Sequence, residues 1–150
     1  MRAVIQRVKE ASVTIGGKRT ASIGPGFLVL LGISDEDKIA DSDWLSTKIV
    51  GLRVFSDAAG LMNLDLAAIN GDLLIVSQFT LLADYRRGNR PSFIRAARPE
   101  KAVPLYELFL AQCASLIGKP VQAGIFGADM QVSLLNDGPV TIILDTKTKE

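Results

Sequence analysis

Apolar and polar positions alternate from the first residues. "AVIQRV" follows a period of two, which predicts a strand, and "ASVTI" predicts another. "GGK" then reads as a hairpin turn before a third strand, "RTASI". Beyond "GPG" (Gly24 to Gly26) the pattern changes to a continuous apolar run, "FLVLLGI", which predicts a strand covered on both faces. Ile39, Leu45, Ile49 and Leu52 then fall near helical spacing, and Ser34 to Asp37 supplies an N-cap and first-turn acids. The acids of "SDEDKIADSD" are accordingly read as caps and solvated charges of this helix.

"RVF" predicts a short strand and Asp57 to Gly60 a turn, whereas "LMNLDLAAI" fits either a loop or a short helix. Asn70-Gly71-Asp72 is a turn signal, and "LLIVSQFTLL" predicts a second buried strand. Pro99 to Ile117 reads as a helix with Ala102, Leu105, Phe109, Cys113 and Leu116 on one face, ended by Gly118 and Pro120. The remainder returns to strands: "VQAGIF", "DMQVSLL", a turn at Asn136-Asp137-Gly138, and "VTIILD". Strands at both ends and two helices after central strands predict an α+β fold. Its sheets are antiparallel-rich, barrel-like or two-layered, with both helices on one face of a single domain over residues 1–150.

Composition narrows the chemistry. The chain has no histidine, and Cys113 is its only cysteine. A His-based triad, a Cys–His dyad, an HExxH zinc site and a structural Cys cluster are excluded. Cys113 sits on the apolar side of its helix, so it reads as a buried, inert thiol. The longest apolar run is far short of a membrane span, and the opening residues lack a signal-peptide pattern; the expected location is the cytoplasm. No Gly-rich nucleotide loop surrounds "GPG", and no cofactor is implied.

Charge is uneven. "RRGNRPSFIRAARPEK" (Arg86 to Lys101) carries +5 within a chain of net charge +1. That loop, which includes Arg86, Arg87, Arg90 and the aromatic Phe93, suits a phosphate backbone as well as it suits a solvated surface. Beside it, Ser77, Gln78 and Thr80 interrupt an apolar strand near its end. Three hydrogen-bonding side chains at a strand mouth can orient a polar ligand, or simply face solvent. Pro139 is a further oddity, because a strand that opens with Gly-Pro gives up a ladder hydrogen bond.

"SQFTL" and "NDGPVT", in this order and in a histidine-free chain of this length, resemble the two signature motifs of the D-aminoacyl-tRNA deacylases. "MRAVIQRV", "GLRVFSD", "RPSF" and "FGADM" extend the resemblance over the whole chain, with Asn89 standing where relatives often carry a basic residue. The resemblance implies a homodimer that binds the aminoacylated 3′ end of tRNA and hydrolyses its ester, proofreading against D-amino acids without metal. It implies a cis Gly138-Pro139 peptide inserted into the partner subunit's site as a chiral filter. It also implies a pocket built on Ser77, Gln78, Phe79 and Thr80, with backbone N–H groups near Phe79 and Thr80 facing the ester carbonyl. Phe126 and Met130 are carried over as the adenine side, and Arg86, Arg87 and Arg90 are the RNA-contact residues expected of the basic loop. An aminoacyl ester is already activated and has a neighbouring ribose 2′-hydroxyl, so such a site needs no strong protein base. Two rivals stay open at this stage: a hydrolase with Thr80 as nucleophile, and a non-catalytic nucleic-acid-binding dimer.

Overall fold

The fold is organised around two strands that are apolar on both sides. A computed structural model describes residues 1–149. Its elements are β1 (Arg2–Ile15), β2 (Lys18–Ile23), β3 (Gly26–Gly32), α1 (Ile39–Val50), β4 (Phe55–Ser56), β5 (Met62–Leu64), β6 (Asp72–Ser77), a 3-10 turn (Phe79–Leu82), α2 (Pro99–Ile117), β7 (Gln122–Ala123) and β8 (Gln131–Asp145). The main sheet runs β2-β1-β3-β6-β7, with β8 on the other side of β1. Because β2 also lies against β6 and β7, the sheet nearly closes on itself.

Side-chain alternation sends Phe27, Val29, Leu31, Leu73 and Ile75 toward the helices, where they meet Leu45, Ile49, Leu105, Phe109 and Cys113. Leu28, Leu74 and Val76 point the other way, into a second cluster with Val8, Val13, Ala21 and Ile23 inside the curled sheet. The continuous apolar runs of β3 and β6 thus have a physical cause, since neither strand has a wet face. α1 and α2 pack on each other and on the first cluster.

Several sequence expectations are revised. The sheet is mixed: β1 pairs antiparallel with β2, β3 and β8, but β3–β6 and β6–β7 are parallel. The crossover from β3 to β6 contains α1, which is what a parallel pair requires. "AVIQRV" and "ASVTI" form one 14-residue strand; the exposed Lys9 and Glu10 interrupt the alternation without ending the strand. α1 begins at Ile39 with Lys38 at its N-cap, whose N–H donates to the Asp41 carboxylate at 2.9 Å. Asp37 is buried instead of solvated, and accepts from the Met1 ammonium at 2.5 Å. "LMNLDLAAI" supplies the short β5 and then a turn, "VQAGIF" keeps only Gln122–Ala123 as strand, and Leu116 is exposed.

The largest revision concerns residues 136 to 140. No hairpin forms there, because β8 pairs with β1 on both sides of the segment. Between the pairs Gln6–Thr141 and Val8–Asn136, the single residue Arg7 faces four residues, Asp137 to Val140. This is an enlarged bulge. Its base is closed by Asn136, whose Oδ1 accepts from the Val140 N–H at 2.9 Å and whose Nδ2 donates to the Val140 carbonyl at 3.2 Å.

Candidate active site

β6 stops at Ser77 because the chain then turns out of the sheet. The Gln78 N–H still donates to the Leu31 carbonyl at 2.8 Å, after which Phe79–Leu82 wind into the 3-10 turn. "SQFTLL" is therefore a strand end followed by a tight turn, which corrects the expectation of continuous strand. Gly32 permits this geometry: a Cβ there would lie 3.1 Å from the Gln78 carbonyl oxygen and 3.2 Å from the Leu81 Cβ. The amides of Phe79 and Thr80 open the turn, the position at which helical N–H groups have no carbonyl of their own helix to bond.

This strand end forms one side of a cavity of about 300 Å³. Ser77, Gln78 and Phe79 stand on one side, Phe126 and Met130 on another, and Leu31, Ile33 and Val76 contribute apolar surface. Five of the expected site residues are thus brought together by two segments distant in sequence. Phe126 is backed by Tyr106, ring centroids 5.9 Å apart. Tyr106 in turn donates its hydroxyl to the Ile75 carbonyl at 2.8 Å. Burial pushes that phenol up to about 12, so Tyr106 works as a strut instead of an acid or base near neutral pH.

Thr80 is exposed and does not line the cavity wall, and its Oγ1 accepts a hydrogen bond from the Gln78 amide. A carboxamide N–H donor takes no proton from a hydroxyl, so this contact does not activate Thr80 as a nucleophile. Burial likewise pushes the Cys113 thiol up to about 12, within the helix-side core.

Gly138 and Pro139 lie elsewhere. Their peptide bond is cis, both residues are exposed on the β8 bulge, and neither lines the cavity of its own chain. The bulge is held from beneath by Arg7, a residue that sequence reasoning missed. Its Nε donates to the Asp137 carbonyl at 2.8 Å and its Nη1 to the Val54 carbonyl at 2.5 Å. A signal was present: Arg7 falls on the same alternating face of β1 as Ala3 and Ile5, where a charged side chain is out of place.

In the basic loop, the Arg86 guanidinium donates to the Asp84 carboxylate over 2.5 to 3.2 Å. Those hydrogen bonds hold the Asp84 carboxyl well below the usual carboxylate range. Arg87 and Arg90 are exposed farther along the loop. The loop's neck is fixed by paired hydrogen bonds of 2.8 Å between the backbones of Asp84 and Ser92.

Fold and cavity together define a mixed-sheet α+β protein whose candidate site combines strand-end backbone, the polar side chains of Ser77 and Gln78, apolar surface and one carboxylate, Asp129. The family model described as D-Tyr-tRNA(Tyr) deacylase matches residues 4–145, and the chain belongs to that family. Among its relatives is the D-aminoacyl-tRNA deacylase of Cytophaga hutchinsonii, 61% identical over the full length of both chains. That of Akkermansia muciniphila is 57% identical over the same span. A solved structure named c-Myc DNA Unwinding Element Binding Protein superposes with a TM-score of 0.90 at 43% identity, covering 97% of this chain and 98% of that one. A probable eukaryotic D-amino acid tRNA deacylase has a TM-score of 0.80 at 17% identity, covering 95% and 97%, a likeness of fold alone.

Proposed function

We propose that this protein hydrolyses the ester of D-aminoacyl-tRNA, releasing the free D-amino acid and the tRNA. The observation that carries this reading is the cavity itself. In a member of a deacylase family, it unites Ser77, Gln78 and Phe79 with Phe126 and Met130 around a space large enough for part of an aminoacyl-adenosine. The terminal adenine lies on the Phe126 and Met130 side, and the ester carbonyl points at the amides of Phe79 and Thr80. Those donors stabilise the oxyanion that forms when water adds to the carbonyl carbon. The bond from that carbon to the ribose 3′ oxygen then breaks, and the oxygen leaves with a proton. The neighbouring 2′-hydroxyl orients the water and relays the proton; the chain has no histidine, and the Gln78 amide bound to Thr80 is no base. Neither metal nor cofactor enters this scheme.

Chirality is read by the backbone carbonyls of Gly138 and Pro139 of a second subunit. Both residues are exposed and outside their own chain's cavity, as an inserted filter requires. A homodimer is also favoured by β8. It pairs with β1 alone among the described strands, and it displays Leu134, Leu135 and Ile143. A filter against L side chains cannot reject a substrate with none, so glycyl-tRNA is admitted too. Arg87 and Arg90 contact the RNA backbone, and Arg86 does so while tied to Asp84.

A second reading, nucleic-acid binding without turnover, draws on the basic loop and on the likeness to the c-Myc DNA Unwinding Element Binding Protein. Deacylation of matched D- and L-aminoacyl-tRNAs separates the two. Selective release of the D-amino acid supports the deacylase, and tight binding with no release of either supports the second reading.

A further inference from the structure

Phe79 enters the scheme above only through its amide, and its side chain remains unexplained. The ring is 55% exposed although it sits on a well-defined turn at the rim of the cavity. It is not alone. The ring of Phe93 meets it edge-on, with centroids 5.0 Å apart and planes at 77°.

Phe93 is itself held on both sides. Before it, Ser92 is paired to Asp84; after it, Asp35 donates to the Arg95 carbonyl at 3.0 Å, and Ala97 to the Ile33 carbonyl at 2.9 Å. Two anchors within a few residues make Phe93 a fixed abutment for Phe79. Such a pair keeps one ring in place with little rotamer entropy left to lose when another flat group stacks on it. The loop that carries Phe93 also displays Arg87, Arg90, Arg95 and Arg98, all exposed.

We infer that the Phe79–Phe93 pair is a stacking platform for the nucleotide immediately 5′ of the terminal adenosine. This rests on the deacylase reading, which seats the adenosine inside the cavity and leaves the preceding nucleotide to cross its rim. A fixed aromatic ring among arginines is the combination that holds unpaired nucleotides, with rings receiving bases and guanidiniums receiving phosphates. The ring pair stands at this rim, and Phe93 lies in the same loop as the exposed arginines.

The test compares three D-tyrosyl esters: of adenosine, of the dinucleotide cytidylyl-adenosine, and of the same dinucleotide lacking the 5′ base. For the wild type, adding the 5′ base should raise kcat/KM roughly 5- to 150-fold over the abasic dinucleotide, the range expected of one base stacked on an aromatic ring. Phe79→Leu and Phe93→Leu should each remove most of that gain. Phe93→Tyr should restore it, and Phe93→Leu should hydrolyse the adenosine ester within about twofold of wild type. A 2-aminopurine placed at the 5′ position of a non-hydrolysable amide analogue should be quenched by wild type and much less by Phe79→Leu. Equal rates on the base-bearing and abasic dinucleotides would overturn the inference, as would a gain that survives both leucine variants. So would slow hydrolysis of the adenosine ester by Phe93→Leu, which would make Phe93 a prop for the turn alone. If wild type hydrolyses none of the three esters, nor D-tyrosyl-tRNA, the deacylase reading itself falls and takes this inference with it.

Discussion

Arg7 reaches across from β1 and donates its Nε–H to the Asp137 carbonyl at 2.8 Å, immediately before Gly138 and Pro139. Its Nη1 is committed to the Val54 carbonyl, so one side chain ties the bulge to the loop ahead of β4. Arg7→Ala should therefore cost roughly 1.5–3 kcal/mol of stability, the usual worth of a charged hydrogen bond. It should also lower the ratio of D- to L-aminoacyl-tRNA deacylation, because the filter loses its support. Arg7→Lys keeps the charge without the two-pronged geometry and should recover little of that ratio. Urea melts and paired D/L rate measurements check both statements, and an unaltered ratio in a destabilised Arg7→Ala protein would make Arg7 purely structural.

Gly138 should not tolerate a side chain. At its φ of +152° a Cβ would lie 2.7 Å from both the Val140 nitrogen and the Val140 Cγ2, the residue that closes the bulge. Gly138→Ala must shift Asp137 to Val140, so D-aminoacyl-tRNA deacylation should fall at least tenfold, a loss of about 1.4 kcal/mol in transition-state binding. β8 pairs with β1 beyond both ends of the bulge, so far-ultraviolet circular dichroism should be unchanged.

Thr80→Ala should retain most of wild-type kcat, since the Thr80 hydroxyl accepts from the Gln78 amide, which cannot activate it. A substrate with the amino acid on the 3′ oxygen and no 2′-hydroxyl should react far more slowly with the wild type. An acyl-enzyme trapped on Thr80 would reverse the assignment.

The arginines of the basic loop should not be equivalent. Arg86 is occupied by Asp84, so Arg86→Ala should change the salt dependence of tRNA binding less than the double variant Arg87→Ala, Arg90→Ala. The double variant should flatten the slope of log K against log salt by up to about 0.7–0.9 for each phosphate that is no longer neutralised. Binding titrations at four or five salt concentrations suffice to rank them.

Cys113 should be chemically silent. Burial pushes its thiol up to about 12, so the reactive thiolate stays scarce throughout the range in which the protein would be assayed. Alkylation by iodoacetamide should be slow through pH 9 in the folded protein and rapid in denaturant. Cys113→Ala should leave kcat intact while costing some stability through the small void it leaves.

What could be read from the chain depended on how local its cause was. β3 and α2 were legible because apolar runs, helical spacing and Gly118 are local signals. The parallel pairing of β3 with β6 was not, since it arises from the crossover through α1 and not from either strand's own pattern. Ser77, Gln78 and Thr80 announced themselves as polar breaks at a strand end, whereas Phe79, Phe126 and Met130 came from family resemblance. The meeting of all but Thr80 in one cavity is tertiary and no spacing encodes it. At Asn136-Asp137-Gly138 the turn chemistry was real, but it served a bulge inside a paired strand. A hairpin and a bulge look alike until the partner strand is known.

The bulge also has a parity. From Glu10 back to Gln6 is four steps along β1, while their partners Leu135 and Thr141 are six steps apart on β8. The surplus is two residues over two register shifts, and on either side of them side chains alternate with a period of two. Val132 before it packs with the second cluster, beside Val13, whereas Leu144 after it packs with the first, beside Ala3 and Ile5, so the two halves of β8 serve opposite faces of the sheet. Length changes in this segment are therefore quantised. Adding or removing a pair of residues preserves the inward face of the last stretch of β8, whereas a single insertion would turn Ile142 and Leu144 out to water and Ile143 inward. The sheet fixes the increment by which the protruding loop can be lengthened, and so the steps in which its reach can be adjusted.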